Sequence, residues 1–472
     1  MSWRDRVSGL GGGADYSLPV PGGSRSVLAV GWLTLGLASL VLSGLFSVLL
    51  VLSRAPYVKD IFPLVDFFHV ALVVHVDLSV LVWFLAFAGV FWSVNTTERW
   101  VSAGWAALVL AVIGTLVMSA APFIGRGGPI MSNYIPVLDD PVFLGGLGIF
   151  TLGFALLTLR GMLTVPLVGM RLDGTGALRF GLNSSMVAAA VALMAFAWSY
   201  LALPAGLDGK AYFELLFWGG GHVLQFTYTL LMLVAWLWLA RTVGAAVPLT
   251  PRIAVLLFAV GLVSVFLTPV IYAAYDVGSV EHHRLLTWLM QFGGGLAILP
   301  FALALLVALA AGPPPDEGQR PLRAALISSM VLFGAGGIIG FLIHGSNVKI
   351  PAHYHGSIVG VTLAFMGVAY LLLPRLGFEA PTSRLAAWQP YVYGGGQLLH
   401  IAGLLWSGGY GVQRKVAGAA QTLRSGAEVM GMGIMGLGGL IAVAGGLIFL
   451  VVMVRAMIRR PSVSSLAGSA GR

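Results

Sequence analysis

The stretch VKIPAHYHGSIVGVTLAFMGVAYLLL, residues 348–373, decides the fold. From Ala352 to Leu373 it contains no Asp, Glu, Lys or Arg. As a helix rising about 1.5 Å per residue it is long enough to cross roughly 30 Å of hydrocarbon. Two imidazoles, His353 and His355, stand at its head. Ionisable groups are costly inside a bilayer and mark function when they occur there. The run therefore raises two questions: how many such segments there are, and what the histidines hold.

Working outward, similar apolar runs recur along all 472 residues, of which 58% are hydrophobic and only 9% charged. Soluble domains carry roughly a quarter charged residues, so the composition specifies a polytopic membrane protein. Twelve spans are expected, near 27–53, 62–96, 100–124, 141–163, 182–205, 211–240, 252–275, 283–311, 322–344, 351–374, 387–408 and 429–456. Runs this long suit helices, not barrel strands, so the fold class is all-α. The domain reading is a tail over 1–26, one membrane domain over 27–458 and a second tail over 459–472. No cleavable signal pattern opens the chain, and no internal repeat is evident. Lys and Arg concentrate in the loops on the same side as the two tails. The positive-inside rule then puts both termini in the cytoplasm of a bacterial or archaeal inner membrane. The net charge of +9 reflects this topology and does not point to nucleic acid. There is no cysteine, which excludes disulfides, thiolate metal sites and iron–sulfur clusters within the chain.

The chain has nine histidines. With the topology above, His75 and His222 each lie about a dozen residues into spans entering from the outer side. His282 with His283, and His353 with His355, head two further spans on that side. All six fall in the outer half of the membrane, and metals are the natural partners of imidazole at such depth. Residues two apart on a helix point about 200° from each other. His353 and His355 therefore face opposite sides of one span and serve separate centres. Haem, with His as its usual axial ligand, fits that arrangement, and His75 is the candidate second ligand for one haem. EHHR (281–284) joined by His222 offers three nitrogens with an open position, suited to copper or non-haem iron.

These residues resemble the catalytic subunit of the haem–copper oxidase superfamily, which includes cytochrome oxidases and nitric oxide reductases. HVDLSVLVWFLAF (75–87), FWGGGHVLQF (217–226), EHHR and PAHYH (351–355) stand in the family's order on the family's helices. The resemblance implies His75 and His355 on a low-spin haem, His353 on a high-spin haem, and His222, His282 and His283 on a non-haem metal. GGYGVQRKVAG (408–418) resembles the basic loop that meets haem propionates, with Arg414 and Lys415 as partners; Lys349 is a further propionate candidate. Two haems, b-type preferred, and one non-haem metal, copper preferred over iron, are implied. Electrons come from cytochrome c or quinol, a soluble donor docking through a small partner subunit.

Two substrates stay open. Oxygen reductases of this family are similar to one another in an active-site tyrosine, usually four residues after the first metal-ligand His; here that residue is Phe226. Another branch takes it six residues before the His pair, where this chain has Asp276, with Tyr275 adjacent and Tyr272 a turn earlier. Nitric oxide reductases lack the tyrosine, and the better-known ones carry a glutamate one turn after that His. Here the nearest polar residue is Gln225, able to touch the metal or bound NO but not to shuttle a proton. The chain most resembles a divergent nitric oxide reductase, with O₂ reduction to water as the alternative.

Glu214 shares a helix face with position 218 and His222, so it either passes protons to the site or is a wet structural group at the end of the span. Glu281 is a candidate proton relay, an orienter of a ligand imidazole, or a partner of Arg284. Asp77 is expected to bond a neighbouring helix, and His400 to lie near a haem edge. A metal transporter would explain the spans but not the split His353/His355 pair. A dihaem electron carrier would leave His222, His282 and His283 without a role.

Overall fold

The computed structural model describes residue 9 and residues 14–52, 67–169, 172–414 and 423–459. The chain is helical almost throughout, because backbone groups inside hydrocarbon must bond within their own segment. The order is α1 (Ser24–Leu52), α2, α3 (Val101–Ile124), α4 (Pro141–Thr164), α5 (Gly174–Ala202), α6 (Gly209–Thr242), α7, α8, α9 (Arg320–Phe341), α10 (Lys349–Arg375), α11 (Arg384–Gly409) and α12 (Gly426–Ile458). Three helices change pitch internally. α2 runs Phe67–Val76, passes through a π turn at Asp77–Val82 and resumes at Trp83–Asn95. α7 joins Pro251–Val263 to Thr268–Ala274 through a 3₁₀ turn, and α8 joins Val280–Trp288 to Gly295–Ala311 through a π turn at Leu289–Gly293. Such π turns collect at functional sites; the first begins two residues after His75 and the second follows the His282–His283 pair within a few residues.

Helix starts follow local chemistry. Asp140, Asp173, Thr250, Ser279, Ser383 and Ser425 cap α4, α5, α7, α8, α11 and α12 by accepting bonds from first-turn amides. Among the described residues, eleven helices are long and apolar enough to span a membrane. The protein is thus an all-α, multi-pass membrane protein. The twelfth expected span exists as α11, but Gln389, Gln397, His400 and a run of glycines make it less apolar than the others.

The chain forms two compact units. One comprises the described part of Ser8–Val234 with Pro248–Leu306; the other comprises Ala235–Val247 with the described part of Val307–Arg472. Within the first, α1 packs on α2, α3 on α4, and α5 on α7. Within the second, α9, α10, α11 and α12 pack through small residues. A Cβ at Gly356 of α10 would stand 2.6 Å from Gly336 Cα of α9, so only glycine permits that crossing.

The connection from α3 to α4 is a small hairpin, not a plain loop. Strand β1 (Pro129–Ile130) pairs antiparallel with β2 (Val137–Leu138), in the register Pro129–Leu138 and Ile130–Val137. Its base is closed by the Asp140 carboxylate, which accepts from Arg126 N at 3.0 Å while capping α4 through Val142 N at 2.8 Å. These backbone donors, Arg126 N first, hold the Asp140 carboxyl below the usual carboxylate range.

Candidate functional site

The first unit brings His222 of α6 near His282 and His283 of α8, with Trp218 packed against His222 and His283. The Trp218 ring centroid lies 4.7 Å from that of His222 and 4.9 Å from that of His283, and the His282 and His283 centroids are 6.0 Å apart. Trp218 Nε1 donates to His283 O at 3.3 Å. The helices themselves fix the ring orientations. His222 Nδ1–H donates to Trp218 O at 2.7 Å, and His283 Nδ1–H to Ser279 O at 3.1 Å, each one turn back. These bonds assign the tautomers and leave Nε2 as the nitrogen for a metal. His282 is fully buried, and neither of its ring nitrogens has a hydrogen-bond partner among the described residues. A buried imidazole with two orphaned nitrogens costs free energy in the fold alone, and a metal ion is the partner that suits it. The donor set therefore fits a metal. Among the described residues, however, no three His, Cys, Asp or Glu side chains already stand in metal-holding geometry: Trp218 packs against both His222 and His283, and the His282 ring faces Tyr272.

The glycines of FWGGGH are cut to admit aromatic rings. A Cβ at Gly219 would collide with the Tyr272 hydroxyl, one at Gly220 with the Phe196 ring, and one at Gly221 with the Tyr134 ring. Two phenols thereby reach the histidines. The Tyr272 ring meets His282 edge-on at 4.6 Å, and its hydroxyl is 2.8 Å from Ser199 Oγ. The Tyr134 ring lies 4.7 Å from His222. Tyr272, not Tyr275, is the phenol at the histidine pair: Tyr275 is 40% exposed where α7 ends in extended backbone. Phe226 turns towards α8 and packs near Gly293 and Gly294.

The other polar candidates take up different positions. Glu214 binds the hairpin tip: its carboxylate accepts from Asn133 N at 3.1 Å and from Asn133 Nδ2. The Gln225 side chain lies beside the Tyr134 hydroxyl. Glu281 is exposed, and Arg284 stacks over the Trp288 ring at 5.1 Å. Nothing in the sequence singled out Tyr134. The one available signal was the triple glycine beside His222, which demands large neighbours.

His75, in the same unit, donates from Nδ1–H to Ser43 O of α1 at 2.9 Å. Asp77 is buried and its Oδ2 has no partner among the described residues, contrary to the expected bond with a neighbouring helix. Asp77 is the first residue of the π turn.

The second unit holds His353 and His355. His353 Nδ1–H donates to Gly336 O of α9 at 2.7 Å, and Gly340 makes room for its ring, since a Cβ there would come within 2.8 Å of Nδ1. The His355 ring lies 4.9 Å from that of His400, whose Nδ1–H donates to Met435 O at 2.9 Å. Arg414 Nε donates to Ser346 Oγ at 3.2 Å, close to the start of α10. Lys415 lies outside the described residues.

No protein-family model matches the chain. It is 29% identical to an uncharacterised protein of Rickettsia prowazekii (strain Madrid E), over 91% of this chain and 96% of that one. It is 27% identical to an uncharacterised protein of Aquifex aeolicus (strain VF5), over 76% of this chain and 88% of that one. Among solved structures it is similar to a haem–copper terminal oxidase dimer, with a TM-score of 0.67 and 18% identity, covering 94% of this chain and 85% of that one. The chain thus has the fold of a haem–copper terminal oxidase.

Proposed function

We propose that this chain is the catalytic subunit of a membrane-bound terminal reductase, with a low-spin haem, a high-spin haem and a non-haem metal, that reduces nitric oxide to nitrous oxide. The observation that carries the reading is the buried imidazole of His282, without a hydrogen-bond partner among the described residues, beside two histidines whose Nδ1–H groups are already bonded to backbone carbonyls. A fold tolerates such an arrangement where a metal completes it. In this reading His222, His282 and His283 hold the metal, His75 and His355 ligate the low-spin haem, His353 ligates the high-spin haem, and Arg414 meets propionates. The Nδ1–H bonds of His75 to Ser43 O and of His353 to Gly336 O support these roles, because each orients a ring and makes Nε2 the better donor. Copper is preferred at the non-haem site: the Glu214 carboxylate is engaged by Asn133 and Glu281 is exposed, so the site is all nitrogen.

When bound, the haems and metal supply the electrons and polarise the diatomic substrate. Two NO molecules, two electrons and two protons give one nitrous oxide and one water. The preference for NO rests on Phe226, which puts no phenol where most oxygen reductases of this fold family carry one. A second reading, O₂ reduction to water, is favoured by a specific observation: Tyr272 and Tyr134 both bring phenols against the histidines. Cytochrome c or quinol is the electron source, through a partner subunit in the first case. The test is gas consumption by the purified complex with a reductant, NO and O₂ electrodes in parallel, and nitrous oxide quantified. Fast NO loss with one nitrous oxide per two NO supports the proposal; rapid O₂ uptake with slow NO turnover replaces it with the second reading.

A further inference from the structure

Along α6, Glu214, Trp218, Gly221, His222 and Gln225 fall on one stripe, because steps of three, four, seven, eight and eleven residues return to nearly the same face. The α3–α4 hairpin lies along that stripe. Its base is fixed by Asp140 through Arg126 N. Its tip is fixed by Glu214 through both nitrogens of Asn133. Between these ties the next residue, Tyr134, drops into the notch left by Gly221. Its ring lies 4.7 Å from His222 and meets Trp218 edge-on at 5.9 Å.

We infer that Tyr134 is a catalytic residue that presents its hydroxyl proton as a hydrogen-bond donor to the diatomic substrate at the His222 site, and that Gln225 and Glu214 are positioning residues for it. The inference rests on the functional reading above. Gln225, one turn beyond His222 on that stripe, stands beside the phenol and bounds the directions its O–H can take. Glu214 holds the tip and places negative charge near the ring. A phenol of ordinary acidity keeps its proton near neutral pH. A neutral phenol offers one donor to a small ligand with lone pairs on both atoms. In this inference Gln225 acts through the phenol.

Carbon monoxide on the fully reduced complex is the probe, read by difference infrared spectroscopy before and after photolysis, in H₂O and D₂O. The variants are Tyr134→Phe, which keeps the ring in its notch, Gln225→Leu, and both together. Haem absorbance checks that each is folded. The expected result is a shifted C–O stretch in Tyr134→Phe, with the D₂O sensitivity of the native complex lost. Gln225→Leu should give a smaller shift, and the double variant should match Tyr134→Phe alone. NO turnover should fall roughly three- to tenfold, the range for loss of one hydrogen bond to substrate. A native-like stretch in Tyr134→Phe, with carbon monoxide still bound, would overturn the inference and leave the functional reading standing. So would independent, additive shifts from the two substitutions. A native complex without haem absorbance or carbon monoxide binding would overturn the functional reading itself, and this inference with it.

Discussion

His282→Leu separates a structural histidine from a metal ligand. His282 has no solvent exposure, and both ring nitrogens lack partners among the described residues. Each unsatisfied buried polar atom costs about 1–3 kcal/mol. Leucine brings no polar atom, and a buried side chain of this size contributes about 1.5–3 kcal/mol. In metal-free protein, then, the substitution should be neutral or stabilising by on the order of 2 kcal/mol, which is unusual for a core change. With metal the order should reverse. Binding to the folded state stabilises the native protein by about 2.7 kcal/mol at a hundredfold excess over Kd, and the variant should forgo most of this. The assay is thermal unfolding of detergent-purified protein, chelator-treated and copper-loaded, with metal content measured by mass spectrometry. If the metal-free variant lost 2 kcal/mol or more, or if copper raised both midpoints equally, the imidazole would have a structural partner and the metal argument would fail.

Gly340→Ala should press on His353 Nδ1 and break its bond to Gly336 O; the haemochrome assay should then show haem content falling by half, with the low-spin bands retained. Gly221→Ala removes the notch for Tyr134. Overpacking of this kind costs about 1–3 kcal/mol, and the C–O stretch should move as it does in Tyr134→Phe; an unmoved stretch would mean the ring does not depend on the notch. Asp140→Ala should cost about 1 kcal/mol through the lost α4 cap. Because the folded pKa of Asp140 is depressed, its contribution is present above the unfolded value of about 3.9 and is lost as pH falls through the folded one. Acid titration of stability should therefore show a step in the native protein that the variant lacks.

The sequence by itself determined the class of fold. Apolar runs like 352–373 must be helices because lipid offers backbone groups no partner, and a capping residue such as Ser279 or Asp140 marks where a helix begins. It also determined which histidines are candidates, since the opposite facing of His353 and His355 follows from helical pitch alone. The surroundings of those histidines were decided only in three dimensions. That Tyr272 and not Tyr275 meets His282 follows from where α7 ends, with Tyr275 already in extended backbone, which no periodicity announces. Periodicity left Glu214 open between a proton path and a wet structural group at the end of its span; that its carboxylate is engaged by Asn133 of a distant hairpin is visible only in three dimensions. Tyr134 reaches His222 because a two-residue strand pair, an aspartate at its base and an absent Cβ at Gly221 act together. Helical spans are local and legible residue by residue. A contact between a loop tip and a helix face far along the chain is set by packing, and only the tertiary structure decides it.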